Sequence, residues 1–100
     1  MKFVVLLEDD PTAGSDIRGK HMPAHLAFLE LHSARVQAAG PLKTRDGNGA
    51  GGLWLVQAAD HSEVNALVKE DPFWPTGLRK SVRILAWNQV FADGRRLIPG

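Results

Sequence analysis

Residues 2–8 read Lys2-Phe3-Val4-Val5-Leu6-Leu7-Glu8. β-Branched and bulky apolar side chains run together there, the composition of a strand. The run does not alternate between apolar and polar. Successive strand side chains point to opposite faces, so Phe3, Val5 and Leu7 take one side and Val4 and Leu6 the other. Both sets are apolar, the pattern of a strand covered on both faces. Leu53-Trp54-Leu55-Val56-Gln57-Ala58 is a second strand of the same kind.

The rest of the chain is read outward from these two strands. Asp9 to Gly19 is rich in Asp, Pro, Gly and Ser, so it is a loop. Met22, Leu26, Leu29 and Val36, with Ser33 among them, recur at helical spacing and predict a helix over about 20–39. Gly40-Pro41 is read as its end, because Gly takes the left-handed cap and Pro cannot continue. A short strand is expected from Pro41-Leu42, then a turn at Asp46-Gly47-Asn48-Gly49. Asp60 or Ser62 is placed to cap a second helix over 63–70, with Val64, Leu67 and Val68 inward. Asp71-Pro72 stops that helix, since the residue before proline is pushed out of the α region. Phe73 to Leu78 is an aromatic loop, and a last long strand is expected over 82–91. Residues 92–100 are expected to hold a turn at Asp93-Gly94 and a mobile tail.

The order β-α-β-β-α-β predicts a ferredoxin-like α+β sandwich. Two helices cover one face of such a sheet. The other face is apolar too, and the chain has no further element for it. A second copy of the sheet across a two-fold axis is therefore expected, making a homodimer or higher homo-oligomer.

One hundred residues form a single domain, 1–100. Apolar residues at 44% and charged residues at 23% exclude wholesale disorder. Twelve Lys and Arg against eleven Asp and Glu leave a net charge of +1, and the longest basic cluster is Arg95-Arg96. No nucleic-acid partner is expected from so even a balance. The absence of cysteine excludes disulfides, thiolate zinc sites and a cysteine nucleophile. No apolar run approaches the ~20 residues of a membrane span and the start is not signal-like, so no membrane partner and a cytoplasmic location are expected.

The candidates for chemistry are few. His21, His25 and His32 fall within about 40° of one another on the first helix, flanking its apolar stripe. They read either as amphipathic residues at a helix border or as the edge of a pocket; His61 stands apart. His21 and His25, four apart, have the spacing of paired helical zinc ligands. They lack the glutamate of a metalloprotease helix and have no evident third ligand, so no metal is expected. Asp71 sits at the unfavourable, negative end of a helix dipole; from the residues alone Asp71-Pro72 reads first as a helix stop, and a use beyond that is the alternative. Glu8, Asp9 and Asp10 read as a solvated acidic loop. The glycines from Gly47 to Gly52 are not a phosphate loop, because no Lys-Ser or Lys-Thr follows.

The string His25-Leu26-Ala27-Phe28-Leu29 is followed by Ala39-Gly40-Pro41-Leu42 and Asp46-Gly47. Gly52 comes next, and then Asp71-Pro72-Phe73 with Gly77-Leu78. In this order and spacing the residues resemble the YCII-related (YciI-like) family, from the first strand to about Trp87. The resemblance implies a dimeric α+β barrel, two ferredoxin-like protomers packed sheet to sheet. It also implies a catalytic pair of a helix-one histidine and the Asp-Pro-Phe aspartate, matching His25 and Asp71. A related enzyme is a dehydrochlorinase of chlorinated-aromatic breakdown, and other dimeric α+β barrels include muconolactone isomerases and monooxygenases acting on small ring compounds. Relatives commonly carry an arginine shortly before the histidine. Here Arg18 stands seven residues upstream, with Lys20, His21 and Pro23 between.

The chemistry of such a pair is self-consistent. A carboxylate accepting from one ring nitrogen fixes the tautomer and leaves the other nitrogen as a base. The expectation is proton transfer, in elimination or isomerisation of a small organic molecule with ring compounds among the candidates, and no cofactor. Phe28, Phe73, Trp74 and Trp87 are the expected substrate-binding walls. The competing readings are a small-molecule binding module without chemistry and a dimeric interaction domain. A close His25–Asp71 contact in a pocket favours the enzyme; an exposed His25 without a carboxylate favours the interaction domain.

Overall fold

A computed structural model describes residues 1–99; Gly100, the last residue of the expected tail, lies outside them. The elements are β1 (Lys2–Asp9), α1 (Ile17–Leu31), β2 (Val36–Lys43), β3 (Gly49–Gln57), α2 (His61–Glu70), a 3-10 turn (Trp74–Thr76) and β4 (Arg79–Ala86). A small hairpin, β5 (Phe91–Ala92) and β6 (Arg95–Arg96), follows. β2, β3, β1 and β4 form one sheet in that order, each pair antiparallel. This is the ferredoxin-like α+β arrangement, with β1 and β3 central.

Central position explains the two-faced strands. Val5 lies opposite Trp54 on one side and Ile84 on the other. Phe3, Val5, Leu7, Trp54 and Val56 close the core with Val64, Leu67 and Val68 of α2, none more than 3% exposed. Burying each such side chain contributes roughly 1.5–3 kcal/mol, the main stabilisation of the fold. On the opposite face Val4, Leu6, Leu53 and Leu55 are only half-buried, and Leu85 is 42% exposed.

α2 starts at His61, two residues before the expected 63, and Asp60 rather than Ser62 is its cap. Asp60 Oδ1 accepts the Glu63 N–H at 2.9 Å, and Glu63 Oε2 accepts the Ala59 N–H at 3.2 Å. That reciprocal pair satisfies two donors at the helix start. At its other end Asp71 turns extended (φ −61°, ψ 133°), as the residue before Pro72 must.

α1 departs from expectation at both ends. It starts at Ile17 and stops at Leu31, eight residues short of 39. Val36 is not part of its stripe but opens β2, opposite Val56. Gly40-Pro41 therefore sits inside a strand rather than at a helix end. β2 is an edge strand, the place in a sheet where proline is tolerated. The inward side of α1 also differs: His25 is buried and Leu26 is 49% exposed. Without Val36 the Met22–Leu26–Leu29 stripe loses its anchor, and Leu26 lies 100° around the helix from the buried His25.

The last long strand ends at Ala86 rather than 91. Residues 91–96 then form a hairpin around Asp93 and Gly94, both at positive φ (52° and 75°). This two-residue turn matches the right-handed strand twist.

Candidate active site

His25 of α1 and Asp71, the extended residue just past α2, meet beside α1. Nδ1 of His25 lies 2.8 Å from Oδ1 of Asp71, and the residues are only 7% and 2% exposed. The same Oδ1 accepts the Phe73 N–H at 3.2 Å. A carboxylate in that position accepts a hydrogen bond from Nδ1–H, which keeps the proton on Nδ1 and leaves the lone pair on Nε2. Among the described residues no hydrogen bond reaches Nε2. The imidazole packs on Phe73, ring centres 4.5 Å apart, and on Trp54 at 6.1 Å.

His25 borders a hollow of about 80 Å³ between α1 and the sheet. Its walls include Arg18 and Leu29 of α1, Gly52 and Trp54 of β3, and Arg79 of β4. None of the four expected aromatic walls lines it. Phe73 lies behind the imidazole and is fully buried. Phe28 packs on His32 at 4.6 Å and on Trp54 at 6.3 Å. Trp74 is packed against the core, with Lys69 Nζ 5.9 Å from its ring. Trp87 is 38% exposed and borders a separate hollow with Met1 and Lys2. The aromatic residue that does line the hollow is Trp54, opposite Val5 in the central strands.

The acidic run Glu8-Asp9-Asp10, whose first two residues end β1 rather than lying in a loop after it, is divided three ways. Glu8 pairs with Lys80 in solvent at 3.4 Å. Asp10 accepts the Thr12 hydroxyl and N–H, at 2.7 and 2.8 Å, and these bonds hold its carboxyl below the ordinary value. Asp9 instead joins two arginines: Oδ2 accepts from Arg18, and Oδ1 accepts from Arg79 Nη1 at 2.7 Å. The Arg79 side chain is 4% exposed and that of Arg18 31%.

Sequence reasoning missed Asp9, Arg79 and the placement of Arg18, yet two of the three carry a signal. Asp9 continues the inward series Phe3, Val5, Leu7. Arg18 precedes His25 by seven residues, two helical turns, and so shares its face. Arg79 carries a misleading one. Counting back by twos from the core-packed Ile84 and Val82 puts Lys80 inside and Arg79 outside. A β-bulge in the β1–β4 ladder, at Glu8/Asp9, exchanges them: Glu8 faces Ser81 but Asp9 faces Arg79. Bulges re-aim side chains in this way, often beside functional sites.

Among the described residues no three His, Cys, Asp or Glu side chains gather as a metal cluster. Nor is any helix there long and apolar enough to cross a membrane.

The molecule is thus a ferredoxin-like α+β domain with a buried imidazole–carboxylate pair opening on a small hollow. It belongs to the YCII-related domain family, which matches over residues 1–88. It is similar in structure to 5-chloro-2-hydroxyhydroquinone dehydrochlorinase (TftG) from Burkholderia phenoliruptrix AC1100, solved in complex with 2,5-dihydroxybenzoquinone. That similarity has 29% identity and a TM-score of 0.72, and covers 88% of this chain and 94% of that one. A weaker likeness, at 12% identity and a TM-score of 0.47, is to At3g17210 from Arabidopsis thaliana, over 92% of this chain and 97% of that one. No curated protein matches the sequence.

Proposed function

We propose that the protein is a cofactor-independent enzyme in which His25 moves a proton on a small, ring-containing organic molecule, in an elimination or isomerisation. The observation that carries this reading is the buried 2.8 Å contact between His25 Nδ1 and Asp71 Oδ1 beside the hollow. Asp71 holds the tautomer, and Nε2 is the base. In an elimination Nε2 takes a proton from carbon, the C–H electrons become the new double bond, and the leaving group departs with its pair. In an isomerisation the imidazolium returns the proton to a second atom of the same substrate. Asp71 stabilises the imidazolium in both. Membership of the YCII-related family and likeness to a dehydrochlorinase support this class of reaction. We take the active form to be a homodimer joined through the half-buried face of Val4, Leu6, Leu53 and Leu55.

The test is a screen of hydroxylated and chlorinated ring compounds for chloride release or a shift of the ring absorbance. His25→Gln and Asp71→Asn are each expected to lower turnover about 10²–10⁴-fold. Full turnover with His25→Gln, in a folded variant, would remove the proposal.

A further inference from the structure

Burying a charged side chain is costly unless its donors are met. Arg79 meets that cost only in part. Its Nη1 bonds Asp9, while its Nε is buried and without a partner among the described residues. Asp9 in turn is shared with Arg18, so one carboxylate serves two guanidiniums. Both arginines face the hollow, with His25 between the same walls. Among the described residues no carboxylate lines the hollow; Asp9 bonds the arginines and Asp71 the imidazole. All three cationic or basic groups surround one ring: Arg79 Cζ is 5.3 Å and Arg18 Cζ 5.8 Å from the centre of Phe73, and the imidazole centre 4.5 Å. Gly52 keeps the space before Arg79 open, since a Cβ there would stand 3.6 Å from Nη1.

A single neutralising carboxylate behind two guanidiniums leaves positive charge directed into the hollow. A guanidinium donates in a planar fork that suits an ionised oxygen. We infer that Arg18 and Arg79, bridged by Asp9, form an oxyanion seat, and that the molecule bound beside His25 is a small organic anion. Its ionised oxygen lies against the arginines and its apolar body against Met22, Leu29 and Trp54. The inference rests on the reading of the hollow as the substrate site and adds the charge of the substrate. It also adds a catalytic consequence: negative charge that builds on that oxygen as a proton leaves for Nε2 is met by donors already in place.

The experiment is a titration of the full chain with benzoate and with its neutral mimic benzamide, at one ionic strength. It is followed by NMR of the backbone and arginine Nε–H signals. Benzoate is expected to bind about tenfold tighter than benzamide or more, the scale of one charge-assisted hydrogen bond, and to move the Arg79 Nε–H signal. Arg18→Met and Arg79→Met each abolish that preference. Should Arg79→Met fail to fold, Arg18→Met decides, because its native side chain is a third exposed. Gly52→Ala weakens benzoate binding while the Asp9 ion pairs persist. Equal binding of benzoate and benzamide overturns the inference, as does a preference that survives Arg18→Met. His25→Gln separates the two readings: it is expected to keep the benzoate preference, whereas its keeping full turnover would defeat only the assignment of the base.

Discussion

The two faces of the sheet are built from the same strands and meet different fates. On the helix face Val5 and Trp54 are 0% and 1% exposed. One residue along, Leu6 and Leu55 are half-buried. Hydrophobicity does not separate the two rows; coverage does. The helix face is closed by Val64, Leu67 and Val68 of α2 and by Phe28 and Leu29 of α1, which pack against the same core. At its Asp9 end the core gives way to His25, Asp71, Arg18 and Arg79. Charged groups can be held there because each lies against packed aromatic rings and has a partner across an element boundary. The opposite face offers apolar area, and the charged pair at its end, Glu8–Lys80, is exposed to solvent rather than buried.

That contrast can be broken by mutation. The largest stability effect is expected from Trp54→Ala, about 3–5 kcal/mol as for other buried aromatics, read by urea unfolding. Leu55→Ala, the next residue, is expected to cost about 1 kcal/mol or less in dilute protein if its face is open. If a second copy covers it, the cost grows and the midpoint becomes concentration-dependent. Equal costs at 54 and 55 that do not vary with concentration would erase the distinction between the faces.

Leu6→Asp sharpens the same point. Sedimentation of the wild type at micromolar concentration should give at least twice the 10.9 kDa of one chain, and Leu6→Asp should return it to one. A monomeric wild type would leave the second face without a partner.

Asp71→Asn probes the sealed end. It should lower stability by about 1–3 kcal/mol, the cost of a poorly satisfied buried partner, with the fold retained by circular dichroism. The smallest effect belongs to Asp10, outside both faces. The Thr12 hydroxyl and N–H lower its pKa from the ordinary 3.8. A lowered folded-state pKa stabilises above the unfolded value, and that contribution is lost as pH falls through the folded one. An NMR titration should therefore place Asp10 below 3.8, and Thr12→Ala should move it back up.

The parts legible in the sequence were those set by short-range chemistry. Pro72 forces Asp71 out of the helix whatever surrounds it, and that extended turn aims the carboxylate toward α1. The unbroken apolar runs at 3–7 and 53–56 marked the two central strands. The element order allowed only one familiar arrangement of two helices over one sheet. These statements depend on neighbours a few residues away, so the chain carries them without its fold.

Tertiary structure decided the rest. Val36 to Ala39 continue a helical stripe by spacing, but β3 offers them a ladder, and pairing across the sheet outweighs the local preference. The face of α1 that turns inward follows from what lies under it, and Trp54 and Phe73 accept an imidazole where leucine was expected. The position of Arg79 is the clearest case. Whether it or Lys80 enters the core end depends on one extra residue in the β1–β4 ladder, and a register shift exists only between two strands. No single stretch of sequence encodes it, because the strand that sets it lies about seventy residues away in the chain.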